Sequence, residues 1–411
     1  MRKILLATTA LIGVAFAGAA HAAAPASPIS LNVGGYDDFV AGLDNGGYTK
    51  PTGGKTVHDD FENEFKLSFD ALGKASNGVE YGANIGLWNG PEVGNNWVGG
   101  QNGVTLNSGY VWMSGAFGKV LFGDEHGASD LFVYAPTVGE GQIDGRFRDF
   151  TSNAKVADFA IMPSGFDNTE HSTKVTYYTP KVGNDANKLQ LGVSFAPQLY
   201  NYGTDIVGTS AANGNSPYQD IIKGVAQYTG NFKPVNVTAS AQWIHGGQGA
   251  GALGGTTLGG GLSSSTGGAR EFNAWGLGTQ VAFNGFTLGG AYNDLGDYDT
   301  VNGGGIDQNR GQTSWNVGGK YEFDKVGVGL SYIHGKGYDN MLTNDTTGAG
   351  SGENYVKRYN ALGTGATYTW FPGLTSNLDG VVYGQAISDP TTAAGGTEGG
   401  YTVLVSQRLA F

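Results

Sequence analysis

The sequence predicts an all-β chain that closes into a 16-stranded antiparallel transmembrane barrel, and three observations predict it. Runs of about ten residues alternate in polarity, short turns alternate with long connections along the whole chain, and the composition suits strands rather than helices. Of 411 residues 73 are glycine, 12 % are aromatic and none is cysteine. That glycine content without a three-residue period is not collagen, and the aromatic content is too high for a disordered chain. Absent cysteine removes disulfides, thiolate metal sites and a cysteine nucleophile. A mean hydropathy of −0.21, and no long apolar run beyond the first residues, exclude a bundle of membrane helices. The formal charge of −12 argues against a nucleic-acid partner.

Residues 1–22 read as an export signal, leaving 23–411 as one barrel domain. Arg2 and Lys3 form a positive start, Ile4 to Phe16 an apolar stretch too short to span a bilayer, and Ala20-His21-Ala22 a cleavage site. No cysteine follows, so a lipid anchor is excluded.

From Ile29 onward the strands show themselves by their period of two. Phe61, Asn63, Phe65, Leu67 and Phe69 alternate with Glu62, Glu64, Lys66 and Ser68, which assigns the two sets to opposite faces. The same pattern recurs in Val79 to Leu87, Leu189 to Phe195, Val235 to Trp243, Trp315 to Phe323, Val326 to Tyr332 and Tyr401 to Phe411. Seven close turns separate runs, among them Asn284-Gly285, whose residues supply the positive φ of a two-residue hairpin. Eight longer connections fall near 42–60, 90–104, 126–171, 199–218, 246–270, 298–311, 336–355 and 389–399. Fifteen connections require sixteen strands.

Keeping short turns at one end and long loops at the other is the habit of a membrane barrel, and closure satisfies every backbone group in lipid. The apolar face is expected to meet lipid and the polar face a hydrated lumen. Tyr177, Trp243, Trp275, Tyr292, Trp315, Tyr332, Trp370 and Tyr401 lie near strand ends, where interfacial girdles form.

Further stretches are more specific. Asn77 to Gly82, Tyr110 to Asp124, Val175 to Pro180 and Leu191 to Pro197 resemble a Gram-negative general-diffusion porin, closest to the alphaproteobacterial type. The resemblance spans essentially the whole mature chain. Terminal Phe411, following Tyr401, Val403, Val405 and Leu409 at alternating steps, is similar to an outer-membrane assembly signal.

The resemblance implies a homotrimer in the bacterial outer membrane whose third loop folds into each pore. Residues 126–171 hold that position, and Asp130, Glu140, Asp144, Arg146, Arg148 and Asp149 are its candidate constriction charges. In similar porins loop acids face a basic wall. Lys66, Lys174 and Arg408 are the expected wall cations by alternation, but Glu62 and Glu64 share their face, which tilts the expected selectivity toward cations. Arg146 and Arg148 could equally pair with loop acids and hold the loop. Partners implied are outer-membrane lipid and lipopolysaccharide, the barrel-assembly machinery and small hydrophilic solutes.

No enzymatic constellation emerges. His58, His126, His171, His245 and His334 lack metal or protease spacing, and no phosphate loop or nucleophile elbow exists. No cofactor is expected; loop acids could bind calcium, but without a recognisable ligand spacing. Gly246 to Gly268 has the composition of a flexible external loop. The leading reading is a passive, mildly cation-selective diffusion channel. The alternatives are a solute-specific channel for a sugar or organic acid, and a barrel enzyme or adhesive anchor.

Overall fold

The computed structural model describes residues 29–49, 56–89, 104–139, 143, 146–151, 172–199, 218–249, 271–297, 312–338, 355–388 and 395–411. The proposed signal, residues 1–22, lies outside them. Sixteen antiparallel strands close a barrel. They are β1 (Ser30–Thr49), β2 (Thr56–Lys74), β3 (Glu80–Trp88), β4 (Thr105–Gly115) and β5 (Gly118–Asp124), followed by β6 (Thr173–Tyr178, resuming at Val182–Gly183), β7 (Asn187–Gln198) and β8 (Tyr218–Phe232). The second half comprises β9 (Val235–Gln248), β10 (Phe272–Phe283), β11 (Phe286–Gly296), β12 (Gln312–Phe323), β13 (Val326–Tyr338), β14 (Tyr355–Phe371), β15 (Leu374–Ser388) and β16 (Gly395–Ala410). Each strand pairs with its sequence neighbours, and β1 pairs with β16 to close the ring.

Pro180 explains the break in β6. Proline has no N–H for the ladder, so the strand opens there and is stitched to β7 by Thr179, whose N–H donates to the Leu191 carbonyl at 2.9 Å and whose hydroxyl accepts from the Leu191 N–H at 3.0 Å. At the close turns, Asn284 and Gly285 take φ of 47° and 83°, the hairpin geometry that the Asn-Gly pair predicts.

The expected first connection, 42–60, is largely strand. β1 and β2 stay paired through Leu43↔Asp59 and, after a register shift, Tyr48↔Val57 and Thr49↔Thr56. Above the lipid a strand need not alternate, so its Asp, Asn and Gly read as loop. Asp44 is held there by the hydroxyls of Tyr383 at 2.7 Å and Thr402 at 2.8 Å. Likewise β16 begins within the expected 389–399 connection.

The outer wall is apolar, as alternation predicts: Leu31, Val33, Phe61, Leu277, Leu288, Leu330 and Val405 are all exposed on it. Aromatic side chains gather near the long-loop ends, with Trp275–Tyr292 and Trp315–Tyr332 ring centroids 5.6 and 5.2 Å apart. A second set, including Phe286–Tyr321 and Tyr368–Trp370, lies near the turns. Trp275 and Phe283 stand eight residues apart on β10. At about 3.4 Å per residue and a tilt of roughly 40°, that is about 20 Å of height, close to the apolar band of outer-membrane barrels.

The inner face departs from the uniformly polar lumen. Toward the turns it is polar, for example Asn377 donating to Ser406 Oγ at 2.8 Å. Toward the long loops, Val40, Ile221, Ile244, Leu295, Ile333 and Leu404 form one buried apolar cluster with Ala135, Ile143 and Phe147 of the third loop.

Candidate functional site

The described residues of the third loop, 126–139, 143 and 146–151, lie inside the barrel against its inner wall. The loop's first 3-10 turn, Gly127–Leu131, is held by side chains of successive strands. The N–H of Ala128 donates to Ser194 Oγ of β7 at 2.6 Å, and Gln227 of β8 donates to the Leu131 carbonyl at 2.7 Å. The N–H of Val133 then donates to Ser240 Oγ of β9 at 2.9 Å. Gln280 of β10 donates to the Tyr134 carbonyl at 2.7 Å, and the N–H of Ala135 donates to Asn316 Oδ1 of β12 at 2.8 Å. A segment without regular structure must satisfy its buried backbone groups somewhere, and here the wall supplies the partners one strand at a time.

Glycine makes the room. A Cβ at Gly278, on the inner face of β10, would overlap the Val133 carbonyl oxygen, and one at Gly42 of β1 would overlap the Phe150 ring. The inward glycines Gly276 and Gly278, either side of outward Leu277, are where the loop lies against the wall.

The second 3-10 turn, Arg146–Phe150, reaches the seam between β1, β2 and β16. Arg146 places Nη2 2.8 Å from Glu64 Oε2, Nη1 3.4 Å from Asp38 Oδ2 and Nε 3.8 Å from Glu62 Oε1. Arg408 Nη1 lies 3.9 Å from Asp38 Oδ2, with its guanidinium 3.9 Å over the centre of the Tyr36 ring. The Tyr36 hydroxyl donates to Glu64. Phe147, 0 % exposed, packs 5.9 Å from the Tyr383 ring.

These positions sort the expected residues. Glu62, Glu64 and Arg408 face inward together and Arg146 joins them. Arg146 meets the wall carboxylates of Asp38, Glu62 and Glu64, so here a loop cation faces acids of the wall. Lys174 is 2 % exposed and donates to the Glu125 carbonyl beneath the first 3-10 turn; its ammonium is covered, not presented as an open basic wall. Lys66 stays on the inner face, paired in register with Tyr36. Asp130 lies 3.9 Å from His126 Nδ1 and Asp149 is exposed on the second turn. Glu140, Asp144 and the Arg148 side chain lie outside the described residues. Phe411 closes the seam, its carbonyl accepting from Gly35 N–H at 2.9 Å and its N–H donating to the Gly35 carbonyl at 3.0 Å. Sequence reasoning missed Asp38 and the loop anchors Ser194, Gln227, Ser240, Gln280 and Asn316. Among the described residues no cluster of His, Asp and Glu is arranged to hold a metal ion.

A family model described as Gram-negative porin matches residues 7–386. No curated protein matches the chain by sequence. Among solved structures, the chain is similar to an anion-selective porin from Comamonas acidovorans, with 15 % identity, a TM-score of 0.54, and 93 % of this chain and 100 % of that one covered. It is similar to the outer membrane channel DcaP of Acinetobacter baumannii, with 13 % identity, TM-score 0.54, and coverage of 93 % and 97 %. A loop-deletion form of the Vibrio cholerae outer membrane protein OmpT aligns with 11 % identity, TM-score 0.56, and coverage of 94 % and 100 %. At these identities the likeness is one of fold.

Proposed function

The chain belongs to the Gram-negative porin family, and from that premise we propose how its pore selects and assembles. As a porin it is an outer-membrane channel through which ions and small hydrophilic solutes diffuse passively. The family is one of channel proteins, and we assign no residue a catalytic role. The constriction is the third loop, 126–171, with Asp130, Glu140, Asp144, Arg146, Arg148 and Asp149 as its charges and Glu62, Glu64, Lys66 and Arg408 as wall charges. The observation that carries this reading is the run of hydrogen bonds that holds residues 128–135 inside the barrel. A segment fixed across that much of the inner wall narrows the path, sets a size limit and lets nearby charges bias ion sign.

We further propose a mild preference for cations, since the acids Asp38, Glu62 and Glu64 outnumber Arg146 and Arg408 at the seam. Residues 1–22 are the export signal and 23–411 the barrel, with Phe411 serving assembly. The chain works as a homotrimer, in contact with outer-membrane lipid and lipopolysaccharide. One Vibrio cholerae outer membrane protein of similar fold is described in a trimer form, with 10 % identity. The seam face of the outer wall supports the same state here: Asp37 is exposed on it between its register partners Phe65 and Leu409, and a carboxylate in such surroundings suits a protein neighbour better than lipid.

Planar-bilayer conductance of the purified protein in a salt gradient tests this. Large ohmic steps closing in threes, with a reversal potential on the cation side, are expected. Small steps blocked by one sugar or organic acid would replace the general channel with a solute-specific one, and no conductance would overturn the pore.

A further inference from the structure

We infer that Arg146 sets the ion preference of the pore, acting as a tethered counter-cation for an acidic patch on the barrel wall rather than as a lining charge. The inference rests on the reading of the chain as a diffusion pore. Asp38 and Glu64 are register partners on β1 and β2, and Glu62 pairs with Val40 one step nearer the long-loop end along the same face. Alternation therefore aims three carboxylates at one point of the lumen. Asp38 is 0 % exposed. Carboxylates so close and so dry repel one another and need cations in contact.

Two guanidiniums answer that need, and they differ in origin. Arg408 belongs to the wall itself and lies 3.9 Å from Asp38 Oδ2, with its face on Tyr36. Arg146 comes from the loop and is within 4 Å of all three acids. Counted formally, these five side chains sum to one negative charge, and without Arg146 the same patch sums to two. Because the Arg146 side chain is only 10 % exposed, a permeating ion does not touch it but feels the summed field of the patch, which at physiological salt reaches about 8 Å.

Charge and position are separable here. The loop keeps its place without Arg146 because Phe147 is buried against Tyr383, Phe150 covers Gly42, and the wall holds residues 128–135 by hydrogen bonds. Removing the guanidinium thus changes the field without releasing the loop.

Reversal potentials in a KCl gradient, recorded for the full-length channel and for Arg146→Gln, Glu62→Gln and the double variant, test the inference. Arg146→Gln is expected to raise the K⁺/Cl⁻ permeability ratio about two- to threefold, from the opposite effects on the two ions of one unit charge roughly 7 Å away in a water-like dielectric, screened over a Debye length of about 8 Å. Glu62→Gln is expected to lower it, and the double variant to return it near the wild-type value. If Arg146→Gln fails to fold, Glu62→Gln alone decides by its sign. A conducting wild type whose ratio neither substitution moves overturns this inference alone. So does a large rise in conductance for Arg146→Gln, which would make the residue a latch. A wild type that does not conduct overturns the pore reading beneath it.

Discussion

The N–H of Ala135 donates to the Asn316 side-chain oxygen at 2.8 Å, joining the first part of the third loop to the inner face of β12. Ala135 is 1 % exposed, so no water stands ready to replace that acceptor. Asn316→Ala leaves a buried donor unsatisfied at a cost of about 1–3 kcal/mol. The neighbouring anchors at Ser240 and Gln280 remain, so the barrel stays folded while the loop loosens locally. Single-channel recordings are expected to show increased open-state noise, with Asn316→Ala plus Ser240→Ala noisier still. Recordings as quiet as wild type would mean that the loop does not border the conducting path.

Gly278 offers the opposite perturbation, crowding instead of loosening. Its missing side chain is the space that the Val133 carbonyl occupies, so Gly278→Val must push the loop off the wall and into the lumen. Conductance is expected to fall while the folded barrel persists in heat-modifiability gels. Gly224→Ala is the control, because a Cβ there meets nothing within 4 Å and conductance is expected to stay unchanged. An equal drop in both variants would point to general destabilisation.

These two positions show what was legible in the sequence and what was not. Strand period, hairpin chemistry and aromatic girdles are local properties, and Asn284-Gly285 or the Phe61 to Phe69 alternation display them without any long-range information. Loop docking is not local: Arg146 and its carboxylates lie about a hundred residues apart in sequence, and Ser240 or Asn316 look like any lumen residue whether they face water or a backbone N–H. The inner apolar cluster did leave a signal. At Trp243-Ile244, Tyr332-Ile333 and Val403-Leu404-Val405 alternation fails, with one apolar residue outward and the next inward, which marks strand segments that face packed protein on the lumen side.

Phe411 joins two roles that truncation can separate. Its main chain exchanges two hydrogen bonds with Gly35 across the closing seam, and its exposed side chain ends the last strand as an assembly signal would. Deleting it costs the seam roughly 1–3 kcal/mol if both bonds are lost at a net ~0.5–1.5 kcal/mol each. Refolding into detergent is expected to survive that loss, while the amount reaching the outer membrane in cells falls severalfold. Equal losses in both assays would reduce Phe411 to a closing residue.

Asp37 provides the test of the trimer, because the two environments open to it predict opposite signs. It projects outward beside Phe39, whose ring lies 5.5 Å from that of Phe61, and its register partners are Phe65 and Leu409. In lipid a carboxylate there is a net cost, smaller than the ~2–4 kcal/mol of a midplane Lys or Arg, and Asp37→Leu would make the isolated barrel more stable. Against a neighbouring subunit the carboxylate has a donor to meet, and the same substitution removes that contact and leaves the donor buried. We expect trimers of Asp37→Leu to dissociate in SDS at a lower temperature than wild type, while the dissociated barrel unfolds no earlier. Trimers of unchanged heat resistance combined with a more stable barrel would instead put this face against lipid and move the subunit contact elsewhere on the wall.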